Sequence, residues 1–190
     1  MTEEQVIPKH IVLFPDGNRR WAKERNLPTL EGHKKGGENF EDFMGWCKSR
    51  GVETVTVFGF STENWRRDEK EIEYLFKLID KFSKKFRKYA IKNKIRFKHF
   101  GRKDRLPKKI IEELNSIEEE TRNFDKINVQ LCLDYGGRDE ILRAINKILR
   151  SGISEIKDDD FVNYLDSSGI PDPDLLIRTS GEKRTSGFMP

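Results

Sequence analysis

The densest group of chemically capable side chains lies in one loop near the N-terminus, Asp16-Gly17-Asn18-Arg19-Arg20-Trp21. Its carboxylate can bind Mg²⁺, and its glycine lets the backbone approach a ligand closely. Its two arginines can form paired hydrogen bonds with phosphate oxygens. An Asp-Gly turn followed by an Asn helix cap is the alternative interpretation, and it leaves the arginines unexplained. The loop is therefore a candidate phosphate and metal site.

Two more polar loops follow apolar runs. The segment from Ser61 to Arg67 combines hydroxyls, an acid, an amide, an indole and two arginines. A capping box explains its first residues but does not explain Trp65 or Arg67. In the segment that begins at Arg178, Arg184 and Ser186 could form a second phosphate cradle, although arginine-rich turns are also common on basic surfaces.

Predicted strands and helices alternate along the chain, and they must position these loops. Helical periodicity predicts crossover helices over a parallel sheet, hence an α/β fold with a central, mainly parallel sheet flanked by helices. In such sheets ligands bind beyond the carboxyl ends of the strands, where all three loops lie. The predicted strands are Ile11–Phe14, Thr54–Ser61, Ile95–Phe100, Asn128–Leu133 and Leu175–Arg178, and the predicted helices are Glu31–Ser49, Asp68–Asn93, Pro107–Arg122, Asp139–Arg150 and Asp158–Leu165.

The long helix predicted from Asp68 carries apolar residues at helical spacing on one side and lysines and arginines on the other. The apolar stripe either packs in the core or lines a tunnel for an apolar ligand between helices and sheet. The lysine-rich stretch from Lys77 to Lys98 is typical of a solvated helix face rather than of a nucleic-acid patch.

Composition sets the limits on the class of protein. A chain of 190 residues without a long linker predicts a single domain spanning residues 1–190, and a net charge of +4 selects no class of partner. No apolar run is long enough to cross a bilayer and no signal peptide is evident, so we expect a cytoplasmic protein. Cys47 and Cys132 lie far apart, which argues against a disulfide framework.

Taken together, the loops resemble the cis-prenyltransferase family, which includes undecaprenyl diphosphate synthases. The segments that carry the resemblance are Asp16–Ala22, Glu31-Gly32-His33, Phe60–Trp65, Tyr135–Arg138 and Asp174–Arg184. The resemblance implies condensation of isopentenyl diphosphate with an allylic diphosphate, farnesyl or geranylgeranyl, to give a cis-polyprenyl diphosphate such as undecaprenyl diphosphate, a precursor of a glycosyl carrier lipid.

The resemblance also implies roles for individual residues. Asp16 would bind Mg²⁺ and be essential for catalysis, and Asn64 would assist proton removal. Gly17, Asn18, Arg19, Arg20, Trp21 and His33 would surround the allylic diphosphate. Ser61, Thr62, Glu63, Trp65 and Arg67 would shape the reacting centre, and Arg178, Arg184, Thr185 and Ser186 would hold isopentenyl diphosphate.

Several features depart from the family pattern. Pro15, Arg19 and Thr29 stand where Met, Gly and Arg are usual, and Arg19 could compensate for Thr29. The pattern continues beyond Pro190 with a segment that supplies a metal-binding Glu, an Arg-x-Gly tail and part of a dimer interface. We therefore expect this segment to be missing from the 190-residue chain, a homodimer to need the full-length protein, and activity without the segment to be in question.

Three other classes of protein share some of these features. A non-catalytic partner subunit of a prenyltransferase complex shares the fold but usually lacks the Asp-Gly-Asn-x-Arg-Trp pattern. A basic RNA-binding domain would place aromatics on an exposed sheet face, whereas those here lie mostly at core spacing, so no nucleic-acid partner is expected. Trans-prenyl synthases are all-helical with Asp-Asp-x-x-Asp motifs, which this chain does not match. A peripheral membrane contact for product release is compatible with the resemblance.

Overall fold

A computed structural model describes residues 6–189, except for the side chains of residues 158 and 159. Within this range one parallel sheet forms with the strand order β3-β4-β2-β1-β5. Its strands are β1 (His10–Phe14), β2 (Thr54–Ser61), β3 (Ile95–Phe100), β4 (Ile127–Tyr135) and β5 (Leu175–Arg178). The predicted α/β class and all five predicted strands are confirmed.

Helices connect the strands and cover the sheet. They are α1 (Asn18–Glu24), α2 (Thr29–Ser49), α3 (Glu69–Asn93), α4 (Lys108–Thr121), α5 (Gly137–Arg150) and α6 (Asp158–Phe161), with 3₁₀ turns at Thr62–Arg66 and Val162–Tyr164. The helix predicted from Asp158 to Leu165 is therefore a single turn that continues as a 3₁₀ turn. Helix α1 was not predicted, since its few residues offer too little apolar periodicity.

The sheet order brings the first and last loops together. Strand β1 pairs with β2 on one side and with β5 on the other, and Phe14 lies opposite Arg178. Because parallel strands end at the same edge, the loops after β1, β2 and β5 meet there. Residues Asp16 and Arg178, far apart in sequence, thereby become neighbours.

An apolar cavity of about 620 Å³ lies between the sheet and helices α2 and α3. The inner face of α3 lines it with Leu75, Ile79, Phe82 and Phe86, and the sheet contributes Val57. Both alternatives for the apolar stripe therefore apply, to different residues. Some of its side chains line the cavity, whereas Phe76 of the same helix is buried in the core.

Candidate active site

Asp16 occupies the centre of the strand-end cluster. Its Oδ2 accepts hydrogen bonds from Arg178 Nη2 at 2.9 Å and Nε at 3.2 Å, and its Oδ1 accepts one from the Gly17 amide at 2.7 Å. The Thr179 hydroxyl donates to the Asp16 carbonyl at 2.5 Å. Burial opposes ionisation, but the Arg178 and Gly17 hydrogen bonds outweigh it and hold the pKa of Asp16 below its usual value.

Gly17 is required by the close approach of the loop after β5. Its φ of 90° lies in the left-handed region, and a Cβ there would lie 2.3 Å from Ser180 Oγ. Gly17 directly precedes α1, so the N-terminal end of this helix lies next to Asp16. Asn18 begins this helix and donates to the Pro15 carbonyl at 3.2 Å instead of capping it. The glycine therefore sets the position of the helix end.

A second group of cations surrounds Glu71 in the first turn of α3. The Glu71 Oε1 atom lies 3.1 Å from Arg67 Nη1, 3.7 Å from His33 Nε2 and 4.0 Å from Arg19 Nε. Burial and then the charge of Arg67 lower the pKa of His33, so this histidine is neutral near pH 7. His33 Nε2 is buried and has no partner within hydrogen-bond distance among the described residues, the Glu71 carboxylate being 3.7 Å away.

The loop after β2 divides its side chains between the cleft and the core. The Asn64 Oδ1 atom accepts from the Ser61 amide at 3.1 Å, as the capping interpretation predicted, and both residues line the polar cleft. Trp65 points the other way. Its indole packs against Phe60 and Phe76, and its Nε1 donates to Asp134 Oδ1 at 2.8 Å.

The loop after β5 is held by arginines. Arg178 Nη1 donates to the Arg184 carbonyl at 2.6 Å and to Ser186 Oγ at 2.8 Å. Glu182 accepts from Arg20 Nη2 at 2.9 Å and also pairs with Arg184. Because Arg20 belongs to α1, this pair ties the first loop to the last one.

The polar cleft, of about 1000 Å³, brings together most of the predicted site residues. It is lined by Asp16, Gly17, Asn18, Arg19, Arg20, His33, Ser61, Thr62, Glu63, Asn64, Arg67, Arg178, Arg184 and Ser186. Trp21 lines the apolar cavity instead, while Trp65 and Thr185 line neither space. The polar cleft and the apolar cavity meet beside the first loop. Residues that line both spaces include Asp16, Gly17, His33 and Gly59.

Sequence reasoning missed several residues that organise the site. Glu71 follows Arg67 by one helical turn, so the pair could have been found as an i,i+4 ion pair. Asp134, which is fully buried and accepts from both Trp65 and Arg105, left no comparable signal. Its partners come from separate loops that only the fold brings together.

The protein itself offers few side-chain ligands for a metal ion at this site. No three His, Cys, Asp or Glu side chains of the described residues cluster as metal ligands. Mg²⁺ commonly uses one or two carboxylates and completes its octahedral shell with substrate phosphates and water. The ionised Asp16 at the cleft wall fits that pattern, provided that a phosphorylated ligand supplies the remaining oxygens.

Comparisons with known proteins agree with this geometry. A family model described as "Putative undecaprenyl diphosphate synthase" matches residues 14–190. An isoprenyl transferase from Fusobacterium nucleatum subsp. nucleatum is 46% identical over 186 residues, covering 98% of this chain and 80% of the relative. The isoprenyl transferase of Aquifex pyrophilus is 44% identical over 185 residues, covering 96% and 79%.

Two solved structures share the fold. Lavandulyl diphosphate synthase from Lavandula x intermedia, in complex with dimethylallyl diphosphate, superposes with a TM-score of 0.91 at 29% identity, covering 97% of this chain and 83% of that chain. A probable undecaprenyl diphosphate synthase from Campylobacter jejuni gives a TM-score of 0.80 at 29% identity, covering 97% and 80%.

Proposed function

This chain belongs to the isoprenyl transferase family and is a prenyltransferase that condenses isopentenyl diphosphate with an allylic prenyl diphosphate. We propose that the allylic primer is farnesyl or geranylgeranyl diphosphate and that the product is a medium to long cis-polyprenyl diphosphate such as undecaprenyl diphosphate. The observation that carries this proposal is the junction at Asp16. There a polar cleft suited to diphosphates opens into an apolar cavity suited to a growing hydrocarbon chain.

The allylic diphosphate would lie between the first loop and the cations around Glu71. Arg19, Arg67 and the neutral His33 can neutralise or donate to its oxygens, and the first-turn amides of α1 add further donors. His33, Arg19 and Arg67 all line the polar cleft, which supports this placement. Asp16 would hold Mg²⁺ together with diphosphate oxygens, and the ion would supply electrostatic stabilisation of the leaving group.

Isopentenyl diphosphate would bind beside Arg178, Arg184 and Ser186. The Arg178 guanidinium contacts both Ser186 and Asp16, so the two diphosphate sites would share a wall. Diphosphate leaves the primer, the isopentenyl double bond attacks the allylic carbon, and a proton lost with help from Asn64 sets the cis double bond. The apolar cavity would exclude water from the allylic cation.

A homodimer is also proposed, with α5 as the interface. Leu142 and Leu149 lie on one face of α5 and are 59% and 67% exposed, and Ile145 lies between them. Large apolar side chains in a row on the surface are typical of an interface. Sedimentation velocity of the full-length protein should show dimers, and the same protein with Leu149→Glu should show monomers.

Among the helices of residues 6–189, none is both long and apolar enough to cross a bilayer. We propose a cytoplasmic enzyme that makes peripheral membrane contact when its product is released.

The proposed function is tested by elongation with labelled isopentenyl diphosphate and Mg²⁺, with each allylic primer supplied separately and products sized. We expect chain elongation, and a loss of at least about 100-fold in Asp16→Ala because a catalytic electrostatic contact is removed. Asp42→Ala, which removes an exposed carboxylate from α2, is the matched control. Full activity in Asp16→Ala would refute the role of Asp16, and inactivity of the unchanged chain with every primer would favour a non-catalytic partner subunit.

A further inference from the structure

Four aromatic side chains pack together beside the proposed isopentenyl diphosphate cradle. Phe188 lies at the centre of this aromatic cluster, and its ring centroid is 5.0, 4.8 and 5.1 Å from those of Phe14, Phe58 and Tyr135. These three partners belong to the neighbouring strands β1, β2 and β4, and all three also line the polar cleft. The cluster therefore joins the end of the last loop to the strands that carry the other loops of the site.

Phe188 is the buried anchor of the loop after β5. It is 6% exposed, and no other residue described between 179 and 189 is buried. Its neighbours Ser186, Gly187 and Met189 have φ angles of 54°, 63° and 46°, in the left-handed region that Ser and Met disfavour. Such a conformation persists only where surrounding structure imposes it. Contacts from outside the loop must therefore maintain its shape.

The hydroxyl of Tyr135 supplies one of these contacts. It accepts a hydrogen bond from the Met189 amide at 3.3 Å and donates its own proton to Glu140 Oε2. Burial, together with the charge of Glu140, raises the pKa of Tyr135 above its usual value, so the phenol keeps this proton. Because an ionised carboxylate only accepts hydrogen bonds, Glu140 draws the proton toward itself and leaves the hydroxyl oxygen to accept from Met189.

Glu140 is itself held in place. It lies in the first turn of α5 and is only 1% exposed. Its Oε1 atom accepts from the amides of Asp166 at 2.7 Å and Ser167 at 3.3 Å, while Oε2 accepts from Tyr135. Both carboxylate oxygens are therefore engaged, and the carboxylate has little freedom to turn away from the tyrosine.

Arg178 also holds the last loop, but it has a second task. Its Nη1 donates to the Arg184 carbonyl and to Ser186 Oγ, and the same guanidinium is a proposed ligand of isopentenyl diphosphate. An N–H group that turns to a phosphate oxygen releases its partner in the loop. The contacts of Phe188 and Met189 use none of these groups, so they do not depend on where the guanidinium points.

We propose that Tyr135, oriented by Glu140, is a positioning residue for isopentenyl diphosphate. Through Phe188 and Met189 it holds the neighbouring residues of the cradle, Arg184 to Ser186, in the shape that binds this substrate. The proposal rests on the proposed function, because that function assigns isopentenyl diphosphate to the cradle. The allylic diphosphate would lie between the first loop and the start of α3, outside this network, so its binding should not change.

Tyr135→Phe tests the proposal because it removes the hydroxyl and keeps the ring. The Kd for labelled isopentenyl diphosphate with Mg²⁺, measured by equilibrium dialysis, should rise about 5- to 50-fold, since only a fraction of the molecules would then hold the cradle in its binding shape. Hydrogen exchange of the amides of residues 184–189 should become at least about tenfold faster. The kcat and the KM for the allylic primer should change by less than about threefold.

A second variant, Phe188→Ala, tests the same role from the other side. It removes the anchor and leaves the hydrogen bond between Tyr135 and Glu140 in place, so it keeps the proposal testable if Tyr135→Phe does not fold. We expect weaker binding of isopentenyl diphosphate and faster exchange of residues 184–189, as in Tyr135→Phe. Phe188→Leu should recover part of the affinity, because it keeps an apolar side chain in the cluster.

The matched control is Thr121→Val, which removes an equally buried hydroxyl from α4. Thr121 Oγ1 accepts from the Phe97 amide at 3.0 Å, so this variant also deprives a backbone amide of its acceptor. Thr121 lines neither the polar cleft nor the apolar cavity. The control should therefore bind isopentenyl diphosphate as the unchanged protein does, and an equal loss of affinity in the control would overturn the proposal.

Other results would also overturn the positioning role. One is unchanged affinity for isopentenyl diphosphate in both Tyr135→Phe and Phe188→Ala. Another is lost affinity without faster exchange of residues 184–189, which would mean that the tyrosine contacts the substrate directly. If the unchanged protein bound isopentenyl diphosphate but elongated no primer, the proposed function would fail while binding still tested the positioning role. No binding by the unchanged protein would overturn the cradle and the proposal together.

Discussion

Arg178 at the end of β5 donates two hydrogen bonds to one carboxylate oxygen of Asp16, at 2.9 and 3.2 Å. The same guanidinium holds Ser186, and its side chain is only 10% exposed. A single arginine thus connects the proposed metal-binding carboxylate to the proposed isopentenyl diphosphate cradle. The contact depends on the pairing of β1 with β5.

Replacement of Arg178 should impair binding of isopentenyl diphosphate more than binding of the allylic primer. We expect Arg178→Met to raise the KM for isopentenyl diphosphate about 10- to 100-fold, since a charge-assisted hydrogen bond contributes about 1.5–3 kcal/mol. Arg178→Lys should recover only part of the loss because it lacks the planar fork. Steady-state kinetics at fixed primer measures this, with the exposed Arg122→Met as control. An unchanged KM in Arg178→Met would contradict the placement of the cradle.

Gly59 should control how far the product extends. It lies at the junction of cleft and cavity, and a Cβ there would lie 3.0 Å from Leu133 Cδ2 and 3.1 Å from Leu131 Cδ1. Gly59→Leu should therefore narrow the passage and shorten the product, as measured by chromatography of dephosphorylated polyprenols. Gly45→Leu, at a site with no atom within 4 Å of the added Cβ, should leave product length unchanged. If the Gly59→Leu and Gly45→Leu variants gave products of the same length, the growing product would not pass beside Gly59.

Trp65 should matter for stability rather than for direct substrate contact. Its Nε1 donates to the buried Asp134, so Trp65→Phe leaves a carboxylate oxygen with one donor fewer and should cost about 1–3 kcal/mol of unfolding free energy. We expect the KM for each of the two substrates to change by less than about threefold, which corresponds to less than about 1 kcal/mol of binding free energy. Urea denaturation and kinetics test this together. A large KM change without loss of stability would indicate that the indole touches substrate.

Stability should fall as the pH drops below about 6.5. Burial lowers the pKa values of His10, His33 and His99. A base whose pKa is lower in the folded state binds fewer protons there than in the unfolded chain. The contribution of such a histidine to the free energy of unfolding is therefore complete above its pKa in the unfolded chain, about 6.5, and declines as the pH falls. Urea midpoints at pH 7.5 and 5.5 should show the loss. His33→Gln should reduce this difference, and an equal difference in that variant would contradict the assignment for His33.

The sequence alone determined the sheet, most of the helices and the identity of the polar loops. Alternating apolar runs and helical periodicity are local signals, so the five strands could be placed without tertiary information. The loops of Asp16, Asn64 and Arg178 could also be assigned to one edge, because parallel strands end together. Short α1 escaped detection since its few residues carry little periodicity.

Only the tertiary structure decided which side chains of those loops face the cleft. Within one loop, Asn64 turns toward the cleft while the adjacent Trp65 turns toward Asp134 and the core. It also decided that Glu71 lies beside two arginines and the neutral His33, and that Arg178 binds Asp16. The physical reason is that such orientations depend on partners from distant segments. A motif specifies which groups are available, whereas packing and long-range hydrogen bonds specify where each one points.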